Sequence, residues 1–391
     1  MKTLNLTAYC AIVKKQIIFP ALAILAISAC NNPSRETTMS DSMNNDQTAM
    51  NDMDTSANTG MTLKPTGTKP EWAPSITAPM QTVLEKLGSY KDPDLTTLSA
   101  TDARKQHSPA DAVMDLIKEN NITIPAATVD TTGKNIPVNG GNIHLRVYTP
   151  KTGNGPFPII VYYHGGGWVI ANLDTYNSSA QALAEQAGAV LVSVAYRQAP
   201  EYKFPTAHND SYAAYEWVLK NAASIKGDPK KVALVGESAG GNLAASVSMM
   251  AREKGAALPL HQVLIYPIAG YDLNTESYKK YAEAKPLNKP LMGWFFENYL
   301  KSPVDGKSPM ISLVTANLKG MPATTIINAE LDPLFTEGGI LSDQFKAAGV
   351  PVTRKVYDGV THEFFGMAAV LPQAKEAQAL AVSELKKAFN K

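Results

Sequence analysis

Thiols are almost missing from this 391-residue chain: its only cysteines, Cys10 and Cys30, both fall within the first thirty residues. The body therefore offers no thiolate nucleophile, no cysteine-bound metal and no internal disulfide. Net charge is nearly absent as well. With 36 Lys and Arg against 35 Asp and Glu the formal charge is +1, so no global field draws the protein to nucleic acid. No internal repeat is visible, and the apolar stretch near the N-terminus, residues 17–29, falls short of the roughly 20 residues that span a bilayer. What the chain does have is length and apolar content, 45% hydrophobic. That suffices for one large core with a smaller appended cap.

Lys14 and Lys15 precede residues 17–29, which end in small side chains, so residues 1–29 have the make-up of an export signal. Residues 30–75 are rich in Asn, Asp, Ser, Thr, Met and Gly and poor in large aliphatics, which reads as a disordered tether. Helical spacing returns with Val83, Leu84 and Leu87, then Val113, Met114, Leu116 and Ile117. These mark N-terminal cap helices within residues 76–130. From 131 to 391 apolar β-type runs alternate with helical patterns. Strands are expected at 143–148, 158–163, 189–196, 231–236, 262–266, 323–329 and 353–357, with helices at 206–225, 242–253, 336–348 and 373–389 among others. Continuous apolar strands between helices argue for an α/β fold with a mostly parallel central sheet and helices on both faces. Residues 269–310, holding Trp294-Phe295-Phe296 and scattered prolines, break the alternation and read as a cap insertion.

Two motifs carry chemistry. Gly236-Glu237-Ser238-Ala239-Gly240 follows the apolar run 231–235 and precedes a helical pattern. A sharp strand-to-helix turn exposes a serine for attack on a carbonyl, and glycines two residues either side leave room for that turn. Taken alone, the pentapeptide also fits a helix start capped by Ser238. His164-Gly165-Gly166-Gly167-Trp168 follows another strand, and its glycines leave backbone N–H groups open to an approaching oxygen. Ala239 N–H would add a donor. Losing one such donor costs about 2.7 to 4 kcal/mol of barrier in acyl transfer. His164 suits a structural hydrogen bond better than a base.

Of six histidines, His107, His144, His164 and His208 precede Ser238, and His261 opens an expected core strand. The chain order serine, acid, histidine leaves His362 as the base. Asp332, after the strand at 323–329 and before Pro333, is the preferred acid. Asp358, Glu330 and Glu337 are its rivals, and a turn residue only is the alternative reading of Asp332.

These motifs, together with Tyr196-Arg197-Gln198-Ala199-Pro200-Glu201, Phe204-Pro205, Asp332-Pro333-Leu334 and His362-Glu363-Phe364, resemble the hormone-sensitive lipase family of esterases. This is bacterial family IV of the α/β-hydrolase fold, and the resemblance runs from about residue 143 to the C-terminus. It implies a serine carboxylesterase for short to medium acyl esters, with Ser238, Asp332 and His362 catalytic and Gly166, Gly167 and Ala239 as oxyanion hole. His164, Gly165, Gly236 and Gly240 support the motifs, and the 196–201 segment is architectural. Trp168 and Phe364 flank catalytic groups and are candidates for the substrate pocket. A small-molecule ester is the implied partner, without nucleic acid, metal or organic cofactor. An amidase, formamidase or sugar deacetylase on the same scaffold, or a non-catalytic ligand-binding relative, are the alternatives. Two positions depart from the family pattern: Glu237 replaces its usual aspartate or threonine, and Glu363 its usual glycine. Separately, Ile27-Ser28-Ala29-Cys30 resembles the lipobox of bacterial lipoproteins, which implies lipidation at Cys30 and a membrane anchor in the cell envelope. Asn31 after it implies the outer membrane of a Gram-negative bacterium.

Overall fold

The computed structural model describes residues 63–390; the expected signal peptide, Cys30 and the tether through residue 62 lie outside the described residues. One sheet contains the strands β1 (Val129–Val138), β2 (Gly141–Pro150), β3 (Phe157–Tyr163), β4 (Val190–Ala195), β5 (Gly227–Glu237), β6 (His261–Ile265), β7 (Ala323–Leu331) and β8 (Val352–Thr361). Their order is β1-β2-β4-β3-β5-β6-β7-β8. The β1–β2 hairpin joins antiparallel to β4, and every pairing from β4 to β8 is parallel.

The helices are α1 (Ala78–Ser89), α2 (Ala100–Ala103), α3 (Pro109–Glu119), α4 (Asn177–Ala187), α5 (Thr206–Asn221), α6 (Ala239–Glu253), α7 (Glu276–Lys280), α8 (Lys289–Tyr299), α9 (Phe335–Ala347) and α10 (Pro372–Phe389). Side-chain alternation along the buried strands divides the core. Ile159, Val161 and Tyr163 enter the cluster filled by α5, α6 and α9, whereas Ile160 and Tyr162 enter that of α4 and α10. Burial on both faces is why these strands read as unbroken apolar runs.

Two expectations change. The apolar pattern predicts no strand at β1, because most of its side chains are exposed and polar; it forms as an edge strand through a ten-pair ladder with β2. The Asn139-Gly140 turn, with Gly140 at φ +79, is the hairpin signal that marks it. The expected tether also ends too late at residue 75. Leu63 and Ala73 are buried, and the N–H groups of Thr66 and Gly67 donate to the Glu85 carboxylate at 2.7 and 3.0 Å. A few apolar anchors and one charged acceptor on α1 hold this stretch despite its polar composition.

The parallel strands end on one edge of the sheet, where open α/β folds bind their ligands. Register pairs Tyr163 with Gly236 and Leu331 with Thr361. The residues that follow β3, β5, β7 and β8 are His164, Ser238, Asp332 and His362.

Candidate active site

Ser238 joins β5 to α6 at φ 56 and ψ −118, a conformation that L side chains rarely adopt. Strain of this kind costs on the order of 1 to 3 kcal/mol and persists only where packing dictates it. The packing is severe. A Cβ on Gly236 would stand 2.0 Å from the Gly240 carbonyl oxygen, and one on Gly240 would stand 1.9 Å from that of Tyr163. The spacing of the two glycines thus follows from the closeness of β3, β5 and α6. Ser238 N–H donates to Ile265 O at 2.9 Å, which fixes the turn against β6.

At this elbow Ser238 Oγ lies 2.8 Å from His362 Nε2, and His362 Nδ1 lies 2.7 Å from Asp332 Oδ2. Leu334 N–H donates to the other oxygen, Oδ1, at 2.9 Å. All three residues are buried. Burial acts to lower the His362 pKa, but the Asp332 carboxylate, with Glu363 and Glu237 beyond it, outweighs this and leaves it raised. The rival acids are engaged elsewhere. Glu330 accepts from Ser75 Oγ and Gly359 N–H, Glu337 accepts from Ala269 N–H, and Asp358 is exposed.

The glycine loop follows β3. Gly166 and Gly167 have φ +90 and +58, and their Cβ positions are blocked by Ile170 O and the Phe295 ring, both at 2.2 Å. Ala239 is the first residue of α6, so its N–H lacks an intrahelical acceptor. A Cβ on Gly165 would meet Tyr176 Oη at 2.2 Å. His164 is buried and stacked on Tyr196, with Nδ1 2.9 Å from Gly165 O; burial pushes its pKa down to about 4.

The 196–201 segment supports this loop, as expected of an architectural element. Tyr196 Oη donates to His164 O, and Gln198 Nε2 donates to Ile170 O and Ala171 O. Arg104, just past α2, donates to Val169 O and Ala199 O and pairs with Glu201. The N-terminal helices are therefore tied to the glycine loop by a residue that sequence reasoning did not single out.

A cavity of about 690 Å³ is lined by Ser238, His362, Gly166 and Gly167. Leu84, Leu87 and Met114 reach it from α1 and α3, and Leu287, Leu291 and Phe295 from the 269–310 insertion. Trp168 and Phe364 do not line it, which corrects their assignment to the pocket. Trp168 is buried and stacked on Tyr299 with centroids 4.6 Å apart. Phe364 is buried beside Tyr266 and Tyr357. Both aromatics adjoin core strands, and the core claims them.

The two departures from the family pattern adjoin the serine and the histidine: Glu237 precedes Ser238 and Glu363 follows His362. Glu237 is buried, its carboxylate accepting from Tyr162 Oη and Tyr266 Oη. Burial first, then the nearby Glu363 charge, pushes its pKa up to about 7. Glu363 accepts from Tyr176 Oη at 2.6 Å. None of these three tyrosines lies in a motif, so only the fold brings them to the site.

Chemically, a hydroxyl bonded to an imidazole can yield its proton as it attacks a carbon, while a carboxylate on the far ring nitrogen stabilises the imidazolium. Comparison with known proteins agrees with that chemistry. The sequence family described as alpha/beta hydrolase fold matches residues 160–366. The chain is 37% identical to carboxylesterase NlhH of Mycobacterium tuberculosis over 253 residues, 64% of this chain and 79% of the relative. It is 30% identical over 319 residues to ethyl acetate hydrolase of Pseudomonas putida, 80% of this chain and 98% of the relative. The crystal structure of a thermostable esterase from Pseudomonas putida ECU1011 superposes with a TM-score of 0.74 at 32% identity, covering 81% of this chain and 98% of that one.

Proposed function

The chain belongs to the alpha/beta hydrolase fold family and is a carboxylic ester hydrolase, and on that premise we propose that Ser238, His362 and Asp332 cleave short to medium acyl esters through an acyl-enzyme. The carrying observation is the unbroken relay from Ser238 Oγ to His362 Nε2 at 2.8 Å and from His362 Nδ1 to Asp332 Oδ2 at 2.7 Å. Ser238 Oγ attacks the acyl carbon as His362 Nε2 takes its proton. Gly166, Gly167 and Ala239 N–H groups donate to the oxyanion. Collapse of the tetrahedral adduct breaks the bond to the alcohol, whose oxygen receives the proton from His362. Water then repeats the sequence, deprotonated by His362, and releases the acid and free Ser238. A cavity of about 690 Å³ with apolar walls from both cap segments supports acyl chains of modest length. The test is covalent trapping: an alkyl phosphonate serine probe is expected to label Ser238 alone, and peptide mapping that finds the label elsewhere overturns the assignment.

We further propose, from the lipobox resemblance, that Cys30 carries a lipid anchor and holds the enzyme at the outer membrane. Cys30→Ala is expected to move the activity from the membrane fraction to the soluble fraction. Retention in the membrane fraction would remove the anchor, since residues 31–62 contain no apolar face to replace it.

A further inference from the structure

Glu363 occupies left-handed backbone at φ 72, where glycine is the least costly choice. Its side chain nevertheless retains 21% exposure and lines the same cavity as Ser238. Tyr176 Oη holds Oε1, and among the described residues no hydrogen bond reaches Oε2. Oε1 stands 3.9 Å from His362 Nε2, the atom that hands the proton to the departing alcohol in the proposed mechanism. Proton transfer needs a heavy-atom separation of roughly 2.6 to 3.2 Å. The alcohol oxygen must therefore come beside Nε2, and the first atoms of the alcohol group fall within a few ångströms of the Glu363 carboxylate.

Other charges near the reacting atoms are committed. Asp332 sits on the Nδ1 side of the ring, and Glu237 is buried under Tyr162 and Tyr266. Elsewhere in the cavity lining Asp174 pairs with Arg146, Asp92 with the His107 ring, Asp94 accepts from Thr96 N–H, and Asp111 closes the N-terminal cap of α3. Glu363 is left as the acidic group that faces the leaving group.

We propose that Glu363 sets leaving-group specificity, favouring esters whose alcohol part carries an ammonium or another hydrogen-bond donor and rejecting those whose alcohol part carries a carboxylate. This inference rests on the reading that Ser238 and His362 carry the hydrolysis. Burial raises the Glu363 pKa, while His362 and the Tyr176 hydroxyl oppose that rise, so discrimination is read at pH 8. A charge within about 5 Å in a partly water-excluded site changes preference roughly ten- to hundredfold.

The experiment compares kcat/KM of the full-length enzyme for acetylcholine, its uncharged carbon isostere 3,3-dimethylbutyl acetate, and the anion 3-acetoxypropanoate. Wild type is expected to follow the order cation, neutral, anion. In Glu363→Gln, and in Glu363→Gly, which fits the left-handed backbone, the cation-to-neutral ratio should drop at least tenfold. If one variant fails to fold, the other supplies the ratio. An unchanged ratio, or a wild-type ratio at or below one, overturns the inference provided the hydrolysis is lost in Ser238→Ala. Absence of any Ser238-dependent hydrolysis of the three esters overturns the underlying mechanism instead, and the inference with it.

Discussion

Ser238→Ala is expected to lower kcat for a short p-nitrophenyl ester by on the order of 10⁶-fold, equivalent to about 8 kcal/mol of barrier. In the proposed mechanism the loss is that large because the other members of the relay have no reacting partner once Oγ is gone. What remains is catalysis by the glycine loop and by substrate binding, which holds residual activity roughly 10³ to 10⁴-fold above the reaction in water. Alanine suits this position for the test. It keeps the same backbone demand at φ 56 as serine, it removes only the side-chain bond to His362, and the main-chain bond to Ile265 is untouched. Melting temperature should consequently stay near wild type while hydrolysis collapses. A variant with wild-type melting behaviour and more than a hundredth of the wild-type rate would place the nucleophile elsewhere.

Much of this arrangement is legible in the sequence, for reasons that differ residue by residue. The strands from 158 to 329 are buried on both faces, so their apolar runs mark a parallel sheet, whereas the one at 353–357 alternates between exposed and half-buried residues up to the buried Tyr357. The glycines at 236 and 240 and the loop at 164–167 stood out because close backbone approach admits no side chain. The positions of Asp332 and His362 followed from chain order and from the strands that precede them. β1 was invisible because an exposed edge strand buries little and carries no apolar alternation. Trp168 and Phe364 misled for the opposite reason: adjacency in sequence to a site residue says nothing about which way a side chain turns, and both turn into the core. The carboxylate–tyrosine pairs at Glu237 and Glu363 join residues up to 187 positions apart. No local pattern could join those partners, although the unusual glutamates themselves were plain in the sequence.

Asp332→Asn tests the part of the relay that depends most on hydrogen placement. Both oxygens of Asp332 accept hydrogen bonds: Oδ2 faces His362 Nδ1 at 2.7 Å and Oδ1 takes Leu334 N–H at 2.9 Å. An asparagine has one acceptor and one donor end. Leu334 N–H is a fixed donor, so it claims the amide oxygen and turns the NH₂ group toward Nδ1. The imidazole must then accept at Nδ1 and carry its proton on Nε2, where it points at Ser238 Oγ and has no lone pair to receive the hydroxyl proton. The alternative flip sets NH₂ against the Leu334 N–H, two donors face to face in a buried site, and is disfavoured by the cost of an unpaired buried group, about 1 to 3 kcal/mol. A loss in kcat of about 10⁴-fold is expected, with KM little changed. The pH profile carries the second signature. Burial alone lowers the His362 pKa and the Asp332 charge is the largest influence raising it. In the proposed mechanism activity requires the neutral imidazole, so the acid limb of kcat/KM reports this pKa. In wild type the limb should lie above the ordinary histidine value of about 6.5, with activity gained as pH rises through it; in Asp332→Asn it should move to lower pH. A limb that stays in place, or a loss smaller than tenfold, would mean that Asp332 does not orient His362.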